Sequence, residues 1–346
     1  MHPFKSLGLC ALVLALLFAP GSTLARGDSP SAARAELGRA APVPLLWKLS
    51  RVGSGSTVYL LGSFHLLKPG DYPLSSDIDQ AFAAADAVVF EVPPEQLADP
   101  ATAGKFLAAA GYADGGGLSD TLPAAMQDRL DDVLGNNGAS IEQLEAFEPW
   151  FVNLTLMLGV AQSLGFSAAD GLDQHLMRAA AAAGKPTGGL ETIDDQLRTL
   201  DSVPMDEQVV ALADFLDRPQ EMPAVLAGLH EAWRSADLVA LDRLTRLQML
   251  ENTPETYRLV NVVRNDAWVP QIQRMLDGPS PRDTLVVVGA LHLLGADGVV
   301  EKLRAKGYTV QRICSACEAV SRDEPCRSGF SRDRGDASPA PAPDRG

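Results

Sequence analysis

Residues 284–298 read TLVVVGALHLLGADG, and this stretch decides the fold. Leu285 to Val288 form an apolar run with three consecutive valines, the pattern of a strand buried on both faces. Gly289 ends the run, and His292 follows three residues later. Residues 57–67 read TVYLLGSFHLL and repeat the device: an apolar strand, Gly62, two residues, His65 and a leucine. Strands of this type belong to parallel sheets, whose ligands bind off the carboxyl ends of the strands. The expected fold is therefore α/β, with a central mixed, largely parallel sheet, flanking helices and a helical insertion or lid. The two Gly-x-x-His loops are expected to meet at one sheet edge.

The neighbouring segments fit that frame. Leu45 to Ser50 and Thr57 to Leu61 read as two strands joined by a turn at Gly53-Ser54-Gly55. Ser76 precedes Asp79 in capping-box spacing and opens a helix through Ile78 and Phe82 to Asp86. Ala87 to Val92 (AVVFEV) is a short strand carrying Glu91, stopped by Pro93-Pro94. Lys185 to Glu191 (KPTGGLE) is another, ending in a carboxylate. Residues 94–184 and 194–280 are otherwise mainly helical. Within them, Ile141 to Phe166 is long and apolar, but Glu142, Glu145, Glu148 and Gln162 make it core or lid, not a membrane span. Gly171 to Ala183 forms a helix with Asp173 and His175. Pro254 opens a helix with Leu259, Val262, Val269, Ile272 and Leu276 on one stripe. Asn265 interrupts that stripe, Arg264 flanks it, and Pro270 is expected to kink or split the helix. Gly298 to Lys306 is a short helix and Tyr308 to Ile313 a closing strand.

Composition narrows the partners. The chain has 346 residues and a formal net charge of −15, which argues against nucleic acid and anionic membrane surfaces. Residues 1–25 read as a signal peptide: Lys5, an apolar run from Leu7 to Phe18, then small residues at Thr23 and Ala25. Export to the periplasm or outside follows, and the membrane is touched only through this segment if it stays uncleaved. Residues 26–44 read as a flexible leader, 45–313 as the folded domain and 314–346 as a disordered tail. The tail holds Cys314, Cys317 and Cys326, suited to a local disulfide in an oxidising compartment, with redox or metal chemistry as the alternative for the Cys-x-x-Cys pair.

His65, Glu91, Glu191 and His292 all stand at or near carboxyl ends of expected strands. Two imidazoles with one or two carboxylates suit a divalent metal, which acidifies a bound water and polarises a carbonyl. An arginine beside them stabilises a developing oxyanion. Each residue also has a plainer role. Glu91, inside an apolar run, needs a partner such as Arg264. Glu191 caps a helix starting near Thr192. His175 and His230 are surface or internally satisfied histidines.

In combination, these motifs resemble the TraB/PrgY/GumN family, which includes the animal Tiki proteases. The carrying residues are Leu60-Leu61-Gly62-Ser63-Phe64-His65, Phe90-Glu91-Val92, Gly171-Leu172-Asp173, Gly189-Leu190-Glu191-Thr192 with Gln196, Arg264-Asn265, and Val288 to Gly295. Where the family usually has threonine after the first glycine, Ser63 keeps the hydroxyl. The resemblance implies an α/β fold similar to the erythromycin-esterase and ChaN-like proteins. It implies a divalent metal of manganese or cobalt type, with zinc as the alternative, held by His65, His292 and Glu91. Glu191, Arg264 and Asn265 join Glu91 as catalytic candidates, and Asp173, Gln196 and Ser63 match further family positions. The expected activity is that of an exported metal-dependent hydrolase cleaving a peptide or protein. The alternatives are a non-catalytic protein sequestering a peptide or an exopolysaccharide-related glycan, and a metal-free esterase with a histidine base.

Overall fold

The computed structural model describes residues 40–136 and 138–317. The signal-peptide assignment, most of the leader and the tail beyond residue 317, with Cys326, lie outside them; of the expected tail, Cys314 is buried in the fold and residues 315–317 are helical. Six strands form one sheet: β1 (Leu46–Ser50), β2 (Val58–Ser63), β3 (Ala87–Phe90), β4 (Thr187–Gly189), β5 (Thr284–Gly289) and β6 (Thr309–Ile313), in the order β4-β3-β5-β2-β1-β6. β5 runs parallel to β2 and β3 on either side of it, and β4 continues the parallel half. β1 is antiparallel to both β2 and β6. Every residue of β5 is buried, which is why its sequence is an unbroken apolar run.

Helices fill the crossovers. α1 (Ser76–Ala84) links β2 to β3. Its cap is Ser75, whose hydroxyl accepts from the Asp77 N–H at 3.2 Å, so the helix starts one residue earlier than the Ser76 spacing suggests. Between β3 and β4 lie α2 (Ala101–Ala109), α3 (Ala124–Gly135), α4 (Pro149–Ser163) and α5 (Leu172–Ala182). Pro149 opens α4 at the position where a proline costs no hydrogen bond. α4 packs Val152 and Met157 into the main core, and among the described residues no helix is long and apolar enough to cross a membrane.

Between β4 and β5 lie α6 (Ile193–Asp201), α7 (Met205–Asp217), α8 (Met222–Arg234), α9 (Leu238–Leu244), α10 (Arg246–Asn252) and α11 (Arg264–Asp277). α12 (Val299–Ala305) leads into β6. α11 corrects two expectations. It is not split at Pro270: the helix runs on through the proline, whose ring is exposed. It is also preceded by a turn of π-helix, Arg258–Val263, which rotates the face that follows. The inward residues are therefore Val260, Asn261, Arg264, Asn265, Trp268, Val269, Ile272 and Leu276, while Leu259 and Val262 are only half-buried.

The folded unit ends at Cys314, and Cys314 and Cys317 are both disulfide-bonded. Away from the sheet edge, His230 is internally satisfied: its Nε2 lies 2.9 Å from Asp71, which also binds Arg234. His175 is half-buried against the Tyr72 ring at 4.7 Å.

Candidate functional site

Strand register builds the site. Ser63 pairs with Gly289 across β2 and β5, and Phe90 pairs with Gly189 across β3 and β4. The residues just beyond these pairs therefore emerge at the carboxyl edge of the central strands. That edge flanks β5, where the chain crosses to either side, which is where open α/β sheets bind ligands.

The two glycines of the repeated motif have different duties. A Cβ on Gly62 would lie 3.0 Å from Leu45 and 3.3 Å from the Ala290 backbone, so the second loop packs directly over the first strand. A Cβ on Gly289 would lie 3.2 Å from His65 Nε2, 3.3 Å from Glu91 Oε1 and 3.6 Å from His292 Cδ2. The missing side chain leaves the place where both histidines and the first glutamate converge. The Gly289 N–H donates to Glu91 Oε1 at 2.7 Å.

Each histidine is held from behind. His65 Nδ1 lies 2.7 Å from Asp173 Oδ2 on the first turn of α5. That turn is docked on the loop by the Leu172 N–H, which donates to the Phe64 carbonyl at 3.2 Å. His65 Nε2 is buried and has no hydrogen-bond partner among the described residues. His292 Nδ1 donates to Asn265 Oδ1 at 2.8 Å, and the Asn265 amide is oriented by donating to the Asp297 carbonyl at 2.8 Å. The other nitrogen of His292 then accepts from Arg264 Nη1 at 3.2 Å, since a guanidinium only donates.

Arg264 is the hub. Its Nη2 donates to Glu91 at 2.6 Å and to Glu191 at 2.6 Å, its Nε to Glu191 at 3.1 Å, and its Nη1 to His292 and to the Val260 carbonyl. These contacts engage all five of its N–H groups. Trp268 donates its indole N–H to Glu191 at 3.1 Å, lies under the guanidinium and packs on the His292 ring at 4.5 Å. Gln196 reaches both carboxylates, at 3.5 Å and 3.4 Å. Glu191 is thus a ligand of Arg264 and not a helix cap. The cap of α6 is Thr192, in a reciprocal box with Asp195.

Electrostatics separate the two histidines. Burial pushes the His292 pKa down to about 3, and the adjacent Arg264 charge adds to the fall. His292 is neutral. Burial also opposes charge on His65, but the Asp173 carboxylate and its hydrogen bond outweigh it, and the pKa ends above the ordinary histidine value. Burial would raise the Glu91 pKa, yet Arg264, His292, His65 and the Gly289 N–H hold it down at about 2. Burial pushes Glu191 above its ordinary value against the pull of Arg264, with the Glu91 charge adding to the rise. Arg264 loses solvation but gains two carboxylates and stays charged.

The donor set can be tested against the divalent metal that the resemblance implies. Three lone pairs facing one point are needed at least, and here one is already spent: His292 Nε2 accepts from Arg264. Glu91 Oε2 also takes Arg264, leaving His65 Nε2 and Glu91 Oε1 on the Gly289 side. Among the described residues no group of three His, Cys, Asp or Glu side chains is arranged to hold a metal ion. As arranged, the residues do not fit one, because a guanidinium stands among the donors.

The structure brings together His65, His292, Glu91, Glu191, Arg264, Asn265, Asp173 and Gln196, with Ser63 in the adjoining wall. It adds Trp268 and the Gly289 N–H, which the residue pattern did not single out. Trp268 stands one helical turn after Arg264, and that spacing was the available signal.

A six-stranded α/β protein with a buried His–Glu–Arg cluster at the carboxyl ends of its central strands is the class these features define. The chain belongs to the TraB/PrgY/gumN family, whose match spans residues 45–312. It is 28% identical over 262 residues to YbaP of Escherichia coli (strain K12), an uncharacterized protein, covering 71% of this chain and 87% of that one. The YbaP of Shigella flexneri, also uncharacterized, matches to the same extent. No solved structure matches the chain.

Proposed function

We propose that this protein is a hydrolase in which His65 is the general base. One observation carries the reading: His65 Nδ1 is committed to Asp173 at 2.7 Å, while its buried Nε2 is without a partner beside Gly289 and Glu91. A histidine whose Nδ1–H is bound to a carboxylate carries its lone pair on Nε2. A water resting there gives its proton to His65 as its oxygen attacks a carbonyl carbon, and Asp173 steadies the imidazolium that forms; as the tetrahedral adduct collapses, the bond to the amine or alcohol breaks and that group leaves with the proton returned by His65. Arg264 supplies fixed positive charge near the developing oxyanion. Since its N–H groups are already engaged, it acts through its field and not as a direct donor. Glu91, Glu191 and neutral His292 hold the guanidinium in place, Asn265 orients His292, and Gln196 bridges the carboxylates. The substrate class we propose is a peptide or an ester. For location we propose the periplasm or secretion, supported by the apolar run 7–18 and by the disulfide bonding of Cys314.

A second reading, the metal-dependent peptidase of Tiki type, draws on the same unpartnered His65 Nε2 and the Glu91 Oε1 beside it. It requires Arg264 to leave His292. One experiment separates the two: turnover of a peptide and ester library by the purified protein, with and without chelator. Chelator-resistant hydrolysis lost in His65→Ala supports the base mechanism. Hydrolysis abolished by chelator and restored by Mn²⁺ or Co²⁺ supports the metal reading. Stoichiometric retention of a peptide or glycan without product would favour a sequestering protein over both.

A further inference from the structure

A half-open cavity of about 40 Å³ lies against the loops that carry His65 and Gly289. This is room for on the order of three heavy atoms. Its walls are Leu229 of α8, Leu241 of α9, and Leu291 and Leu294 of the second Gly-x-x-His loop, with Phe64 from the first. No Asp, Glu, Lys or Arg lines it. The hydroxyl of Thr245, which also lines it, is spent on the Leu241 carbonyl at 2.7 Å.

Two polar atoms among the lining residues are different. Ser63 Oγ and His65 Nε2 are both buried and both lack a hydrogen-bond partner among the described residues. Buried polar groups are nearly always paired, so two unpartnered atoms on residues that line one cavity call for a ligand that reaches both. Gly289 belongs at once to the cavity lining and to the polar cluster.

We propose that this cavity is the substrate's apolar subsite: it takes a short aliphatic group of three or so carbons, and the Ser63 hydroxyl donates to the carbonyl oxygen attached to that group. The substrate is then an acyl compound or peptide with a small aliphatic chain next to the scissile bond. This assignment rests on the hydrolase reading only for the word scissile, since binding of the group needs no turnover. The Ser63 hydroxyl also supplies the direct donor that a saturated Arg264 does not.

The test uses methyl ketones, which present a carbonyl and an aliphatic chain but no leaving group. Their binding to the full chain is followed through methyl resonances of isotopically labelled leucine, from acetone to the isobutyl and longer ketones. Affinity should tighten about fourfold per methylene until the cavity is full, with shifts at Leu229, Leu241 and Leu294. Leu241→Phe should flatten that dependence, and Leu294→Ala should move the optimum to a longer chain. Ser63→Ala should weaken every ketone about fivefold and leave the chain-length slope unchanged. A slope insensitive to both leucine variants, or shifts elsewhere in the protein, overturns the subsite. Unchanged affinity in Ser63→Ala overturns the role of the hydroxyl. If the ketones bind as described and no ester or peptide is turned over, the subsite stands and the hydrolase reading falls.

Discussion

His65 and Asp173 meet at 2.7 Å, although 108 residues separate them along the chain. The carboxylate both selects the tautomer of the imidazole and raises its affinity for a proton. A base must be deprotonated to act, so hydrolysis should rise with pH through the elevated pKa of His65. In Asp173→Asn the raising charge is gone, and the acid limb of the kcat/KM profile should move to lower pH. The plateau rate should fall by roughly a hundredfold or more. An acid limb that stays in place in the variant would remove His65 from the base role.

Arg264 neutralises two buried carboxylates at once. Arg264→Met should therefore cost about 3–5 kcal/mol, read from urea unfolding, because Glu91 and Glu191 lose their common partner. Arg264→Lys should recover only part of that loss. An ammonium is a point charge, and it cannot reach Glu91, Glu191, His292 and the Val260 carbonyl from one position. Equal stability of the lysine and arginine forms would show that the fork geometry is unimportant.

The guanidinium also stands between the family's expected metal ligands. Arg264→Met frees His292 Nε2 and Glu91 Oε2, and the variant should bind Mn²⁺ more tightly than the wild-type protein. Calorimetric titration of both, after circular dichroism has shown the variant folded, checks this. A wild-type chain that takes one Mn²⁺ as tightly as the variant would mean that Arg264 yields its place readily, and the metal reading would gain.

Acid should destabilise the protein in two overlapping ranges. His292 titrates near 3 in the folded state and near 6.5 unfolded, so the unfolded chain binds the extra proton as pH falls from about 6.5 toward 3. Glu91 titrates near 2 folded and near 4.5 unfolded, and its contribution is lost as pH falls from about 4.5 toward 2. His65 works in the opposite direction: its raised pKa stabilises below the unfolded value, and that gain disappears as pH rises through the folded value. Thermal melts across pH should show Tm dropping between about 6.5 and 4.5, before carboxylates dominate. His292→Gln should lose that first portion of the drop.

Much of this was legible in the residues. β5 and β2 announce themselves as apolar runs ended by glycine, because a strand covered on both faces has no polar side. Glu91 inside such a run signals a paired charge, and the pair with Arg264 is present. Only the later part of the face of α11 was legible: Val269, Ile272 and Leu276 are buried as their stripe predicts, whereas Leu259 and Val262 before it are half-buried. A π-helical turn before it inserts an irregularity that a 3.6-residue period does not carry, and it turns Arg264 and Asn265 inward. Thr192 rather than Glu191 caps α6, since both residues can play that part and only the backbone direction chooses. The cavity was equally out of sight: Leu229 and Leu241 are ordinary helical leucines until α8 and α9 fold across the loops.

The sequence by itself determined the strands, the two glycine-histidine loops and the identity of the buried acids, because burial and turn geometry act over a few neighbouring residues. Only the tertiary structure decided which nitrogen of each histidine is engaged, that one arginine ties both glutamates together, and that a small apolar chamber adjoins the free imidazole. Those depend on contacts between segments 27 to 173 residues apart, where distance and orientation are set by the packing of the whole sheet.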